Sequence, residues 1–153
     1  MTLSPDAIRC IEMWRLGFVA TVSAGGRPNV SPKGTFVVID PDTVAFGEIR
    51  SPQTMTNLTT NPDLEVNFVD QFTRKGVRLR GRAVNVRPGT DEFDRLLPRF
   101  HDIWPSLAHR IRTIVKIPVE ASAPLSTPPY DDGATEAEMI ALYKDKFAGF
   151  YPD

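Results

Sequence analysis

Two hydrophobic periods divide this chain. Near its start, Ile8, Ile11, Met13 and Leu16 recur at roughly helical spacing, and beyond Gly17 the period drops towards the two-residue alternation of strands. Ser4-Pro5-Asp6 gives that first helix a capping hydroxyl, a proline in the first turn and an acid at the positive end of the dipole, with Gly17 as its expected stop. Residues 18–22 read as a strand, Ala24-Gly25-Gly26 as a hairpin turn and 27–31 as the return. The β-branched stretches 35–39 and 43–46 follow, joined at Pro41-Asp42. Ser51-Pro52 opens a second helix that must end before Pro62. Leu64, Val66 and Phe68 alternate along a strand over 64–69. Next, Val77, Leu79, Gly81 and Ala83 share one strand face, with Arg78, Arg80 and Arg82 on the other.

Residues 90–101 read as a helix capped by Thr90, with Asp91 and Glu92 in its first turn and Pro98 bending or ending it. A short helix is a candidate over 104–110. The last predicted strand, 113–119, sets Ile114, Lys116 and Pro118 against Val115, Ile117 and Val119. The Pro- and Ser-rich stretch 121–133 is expected to be extended. A final helix over 135–147 begins with a Thr135/Glu138 capping box. Six or seven short strands with helices around them predict a mainly β protein, a barrel or sandwich with peripheral helices.

With 153 residues the chain suits a single domain over 1–153, with a core over about 15–120 and a C-terminal tail and helix over 121–153. A formal net charge of -1 gives no global pull towards nucleic acid or an acidic membrane, although a local basic cluster can still hold an anion. Cys10 is the single cysteine, so no intramolecular disulfide forms, which fits a reducing cytoplasm. The beginning lacks the basic patch and apolar run of a signal peptide, and no stretch approaches the ~20 apolar residues of a membrane span. These features lead us to expect a cytoplasmic protein without nucleic-acid or membrane partners.

The candidate chemistry gathers at strand ends and one helix start. Ser31, Lys33, Thr35, Arg50, Ser51, Gln53 and Thr54 supply the hydroxyls, cations and helix-start N–H groups that a phosphate needs. The same set also reads as solvated charges and an ordinary cap, and spacing alone does not separate the two. For Arg78, Arg80 and Arg82 the wet face of an antiparallel strand outweighs an anion site. His101 and His109 lack a metal-ligand spacing, and no metal site is expected. No nucleophile elbow, Rossmann fingerprint or phosphate loop is present, so no catalytic side chain is assigned.

The ordered set 19–23, 26–34 (Gly26-Arg27-Pro28-Asn29-Val30-Ser31-Pro32-Lys33-Gly34), 43–47, Arg50-Ser51-Pro52-Gln53-Thr54, Asn57-Leu58, Asn61-Pro62 and Gly76–Ala83 resembles the FMN-binding split barrels related to pyridoxamine 5′-phosphate oxidase. That resemblance covers about residues 15–86. It implies a six-stranded antiparallel split barrel of Greek-key type, working as a homodimer with FMN held between the subunits. It further implies that Val30, Ser31, Pro32 and Lys33 run along the flavin and that Phe46 and Gly47 lie beside its ring. Arg50, Ser51, Gln53 and Thr54 would hold the phosphate. Asn57 would fix the helix, and Tyr130 would reach across the interface. The implied activity is that of a flavin-dependent oxidoreductase on a small molecule or redox partner. The alternatives are a non-catalytic flavin-binding or electron-carrying module, or a split barrel using F420 or haem. The chain departs from the true oxidases in lacking their tryptophan- and arginine-containing end and in having Gln53-Thr54 where they carry an Arg-Lys pair, so vitamin B6 oxidation is not expected.

Overall fold

The computed structural model describes residues 2–152. Helix α1 (Pro5–Trp14) precedes strands β1 (Gly17–Val22), β2 (Pro28–Lys33), β3 (Phe36–Asp40) and β4 (Thr43–Glu48). Helix α2 (Pro52–Thr60) leads to β5 (Asp63–Val69), β6 (Gly76–Arg82) and the short β7 (Val84–Val86). Helix α3 (Asp91–Ile103) and a 3-10 turn (Ala108–Arg110) come before the long β8 (Thr113–Leu125). A second 3-10 turn (Pro128–Tyr130) then leads into α4 (Glu136–Ala148). All strand pairings are antiparallel, in the order β2-β1-β5-β6-β8-β4-β3, with β7 also on β8. The mainly β barrel with peripheral helices expected from the sequence is therefore what forms. It has eight strands rather than six or seven. The added one is β7, which follows directly on β6 after Ala83 turns aside to donate its N–H to the Pro62 carbonyl.

β8 is the strand that joins the sheet's two parts. Thr113–Pro118 pairs with β4, and Val119–Leu125 pairs with β6. The sequence places the end of this strand at 119. In the structure it runs on to Leu125, because the open edge of β6 gives the small residues Ala121, Ser122 and Ala123 partners that their own propensity does not announce. A register shift between Arg80 and Gly81 marks the crossover. There a Cβ on Gly81 would lie 2.3 Å from the Pro118 carbonyl oxygen, so only glycine lets the two backbones approach.

The sheet curls around one core and carries a second on part of its outer surface. Inside, Leu3, Ala7 and Ile11 of the α1 region meet Val19, Phe36, Phe46, Val66, Phe68 and Leu79. Phe36 packs edge-on to Phe68 at 4.8 Å between centroids. Outside, α3 lays Phe93, Leu96 and Phe100 over Val37, Ala45 and Ile114, so β4 is covered on both faces. Pro98 lies inside α3 without ending it. The outer face of β1, β2, β5 and β6 has no such cover. There Phe18, Val22 and Val30 are exposed, and Arg80 and Arg82 pair with Glu65 and Asp63 across β5. The alternating arginines thus form the wet, ion-paired face that their spacing favours.

Helix α1 stops earlier than its glycine suggested. Arg15 adopts the left-handed conformation (φ 46°) and its N–H reaches the Ile11 carbonyl. Its guanidinium donates to the Phe36 carbonyl at 3.0 Å and lies over the Trp104 ring, which compensates for the strain. Gly17 serves packing instead, since a Cβ there would meet the Phe36 ring at 2.4 Å. Among the described residues no helix is long and apolar enough to cross a membrane.

Candidate functional site

Seven polar side chains are buried among the described residues, and six of them gather along α2 and the strand ends beneath it: Thr21, Lys33, Thr35, Glu48, Thr54 and Asn57. Burying polar groups is costly unless they are satisfied, so such a concentration needs a reason. β2 brings in the first of them by simple alternation. Its odd-numbered residues Asn29, Ser31 and Lys33 turn inward, while Val30 and Pro32 point out to solvent. At the end of β2 the Lys33 ammonium donates to the Ser31 hydroxyl at 2.5 Å. Burial pulls its pKa below the usual lysine value, and the nearby Glu48 carboxylate offsets part of that.

β4 contributes Glu48, the last residue of the strand. Its carboxylate accepts the Ser51 N–H at 2.7 Å and the Ser51 hydroxyl at 3.2 Å. Beside it, the Thr35 hydroxyl donates to the Gly47 carbonyl at 2.7 Å, which joins β3 to β4. Helix α2 then starts at the N-cap Ser51 with Pro52 in its first turn. Gln53 donates its amide to Asn57 at 2.8 Å, and Asn57 donates to the Thr21 hydroxyl at 2.9 Å, tying α2 to β1. Thr54 is almost fully buried, and its hydroxyl has no partner among the described residues.

The structure thus links Lys33 directly to Ser31 on β2 and, through Glu48, to Ser51, with Gln53 and Thr54 in the first turn of the same helix and exposed Arg50 just before it. Val30 and Pro32 lie on the opposite face of the same strand. Phe46 and Gly47 do not open onto this neighbourhood. The Phe46 ring is sealed in the inner core against Phe36, and Gly47 lies under α3, where a Cβ would meet Ile111 at 2.6 Å. The cause is the two-sided cover of β4. Tyr130 donates its hydroxyl to the Thr73 carbonyl of its own chain at 2.5 Å, with the Lys75 ammonium over its ring. Sequence reasoning missed Glu48. The signal lay in its position, an acid closing an otherwise uncharged strand three residues before a helix cap. A separate cleft of about 530 Å³ runs along another face of α2, lined by Met55, Thr56, Thr59, Asn85, Arg87 and Arg112 among others. None of the sequence-expected residues lines it, and the buried polar groups on the other face of the helix mark the better candidate.

The sequence model of the pyridoxamine 5′-phosphate oxidase family matches residues 4–121, a span that contains the whole polar cluster. No curated protein matches the chain. Among solved structures, HupZ of Group A Streptococcus is 26% identical at a TM-score of 0.70, covering 82% of this chain and 95% of its own. An FMN-binding protein of Syntrophomonas wolfei, 15% identical, has a TM-score of 0.66 and covers 80% of this chain and 85% of its own. HutZ, the haem storage protein of Vibrio cholerae, is 19% identical with a TM-score of 0.62, covering 80% of this chain and 94% of its own. The last two likenesses speak to the fold alone.

Proposed function

The chain belongs to the pyridoxamine 5′-phosphate oxidase family, and from that premise we propose that it is an FMN-binding flavoprotein, a homodimer with its cofactor between the subunits. The same reading makes it a cytoplasmic flavin-dependent oxidoreductase acting on a small molecule. One observation carries the reading. Lys33 is the only buried basic side chain among the described residues; it donates to Ser31 and senses Glu48, the carboxylate that accepts from Ser51 at the start of α2. A buried ammonium needs an anion, and Glu48 compensates it only in part.

In this reading Lys33 balances the phosphate charge. The Ser31 and Ser51 hydroxyls and the free N–H groups of the first turn of α2 donate to its oxygens. Gln53 orients the start of the helix through Asn57, and Arg50 adds charge from the exposed side. Bound FMN would supply the redox chemistry, and the protein its binding and orientation. With uncharged Gln53 and Thr54 in the first turn, charge compensation of the phosphate would fall to Lys33 and Arg50.

The purified protein is expected to be yellow, or to take up added FMN and quench its fluorescence. A colourless protein that leaves added FMN free overturns the reading. Competition between FMN, F420 and haem tests the choice of cofactor. Haem is the weaker candidate here because His101 and His109 are both exposed and neither belongs to the buried cluster. Flavin that binds, yet is reduced neither by nicotinamide cofactors nor by candidate substrates, would recast the protein as a non-catalytic carrier.

A further inference from the structure

Glu48 stands where an external anion would otherwise be welcome. Ser51 is the N-cap of α2, yet its side chain accepts no N–H from the helix. Its hydroxyl and its backbone N–H both donate to the Glu48 carboxylate. A capping serine ordinarily accepts from the amide two or three residues on. Here the carboxylate supplies the negative charge that the positive end of the helix attracts. Lys33 is buried nearby and already senses that carboxylate. Lys33 and Glu48 thus lie close enough to sense each other's charge, and both donors of Ser51, its N–H and its hydroxyl, are in use.

Resting on the reading that this site receives the phosphate of a flavin, we propose that Glu48 is its specificity-determining residue, a built-in anion that weakens selection for a phosphomonoester and must leave Ser51 before the phosphate can use the same donors. A phosphomonoester carries between one and two negative charges near neutral pH. Bringing it beside a buried carboxylate sets like charges together where water screens them poorly. Riboflavin has no phosphate and meets no such opposition. Glu48 therefore narrows the preference for FMN over riboflavin that Lys33 and the hydroxyls would otherwise confer.

Glu48→Gln tests this, because the amide keeps the size and an oxygen that can accept from Ser51 while removing the charge. Fluorescence titrations of the wild type and the variant with FMN and with riboflavin are expected to show FMN binding about tenfold tighter in the variant, with riboflavin little changed. A second measurement needs no flavin: inorganic phosphate is expected to raise the melting temperature of the variant more than that of the wild type. Glu48→Ala serves if the glutamine variant does not fold. An unchanged ratio of FMN to riboflavin affinity, together with equal stabilisation by phosphate, overturns the inference. If phosphate favours the variant while neither protein binds any flavin, the role of Glu48 stands and the flavin reading falls.

Discussion

Lys33 concentrates the site's dependence on a single side chain. It is buried, it lies against Ser31, and burial holds its pKa down. If it faces the phosphate, Lys33→Ala removes a charge-assisted contact worth about 1.5–3 kcal/mol, roughly a ten- to hundredfold loss of FMN affinity. Riboflavin affinity is expected to change far less, and parallel titrations of the two ligands check this. Equal losses for both would move the phosphate elsewhere. At this scale the sequence was legible where one residue type has one use. A lysine at a strand end and a serine-proline helix start were both found. It was not legible where burial decides the role. Phe46 and Gly47 look like groove residues until α3 and the inner core are seen to cover both faces of their strand. Glu48 looks like a surface acid until Ser51 turns both donors towards it.

Among the elements, those whose local chemistry agrees with their packing were readable in advance. Helix α4 carries the expected capping box, with the Thr135 N–H donating to Glu138 at 2.8 Å and the Glu138 N–H donating to the Thr135 hydroxyl at 3.2 Å. The Thr135 N–H first, and the Thr135 side-chain hydroxyl second, hold the Glu138 carboxyl below the usual carboxylate pKa. A depressed folded-state pKa stabilises the fold above the unfolded-state value and ceases to do so as pH falls through the folded one. Glu138→Gln is therefore expected to melt at a lower temperature than the wild type at pH 7. The gap should close below about pH 4, as thermal scans across that range would show. β8 shows the limit of such reading, for its second half is a strand only because β6 lies beside it. The crossing itself rests on Gly81. Gly81→Ala forces a methyl against the Pro118 carbonyl and is expected to cost about 3 kcal/mol. That corresponds to roughly 10 °C in melting temperature for a chain of this size, and calorimetry measures it directly.

For the whole molecule, the unequal cover of the sheet matters most. Helix α3 shields the β3, β4 and β8 side, while Phe18, Val22 and Val30 remain exposed on β1 and β2. Apolar side chains grouped on one open sheet face suit burial against a second copy, in keeping with the proposed homodimer. Phe18→Lys would place a charge in that contact. Sedimentation is expected to show a dimer becoming a monomer, with FMN retained less well. A wild type that is already monomeric contradicts the dimer. The architecture also sets an order of events during synthesis. β8 is made after β4, β6 and β7, and it is the strand that pairs with all three. A nascent chain that has not yet reached Thr113 carries the edges of β4 and β6 unpaired, and naked edges of that kind invite pairing with other chains. A chain cut off just before that point is expected to clump, whereas one continued through Leu125 covers both edges.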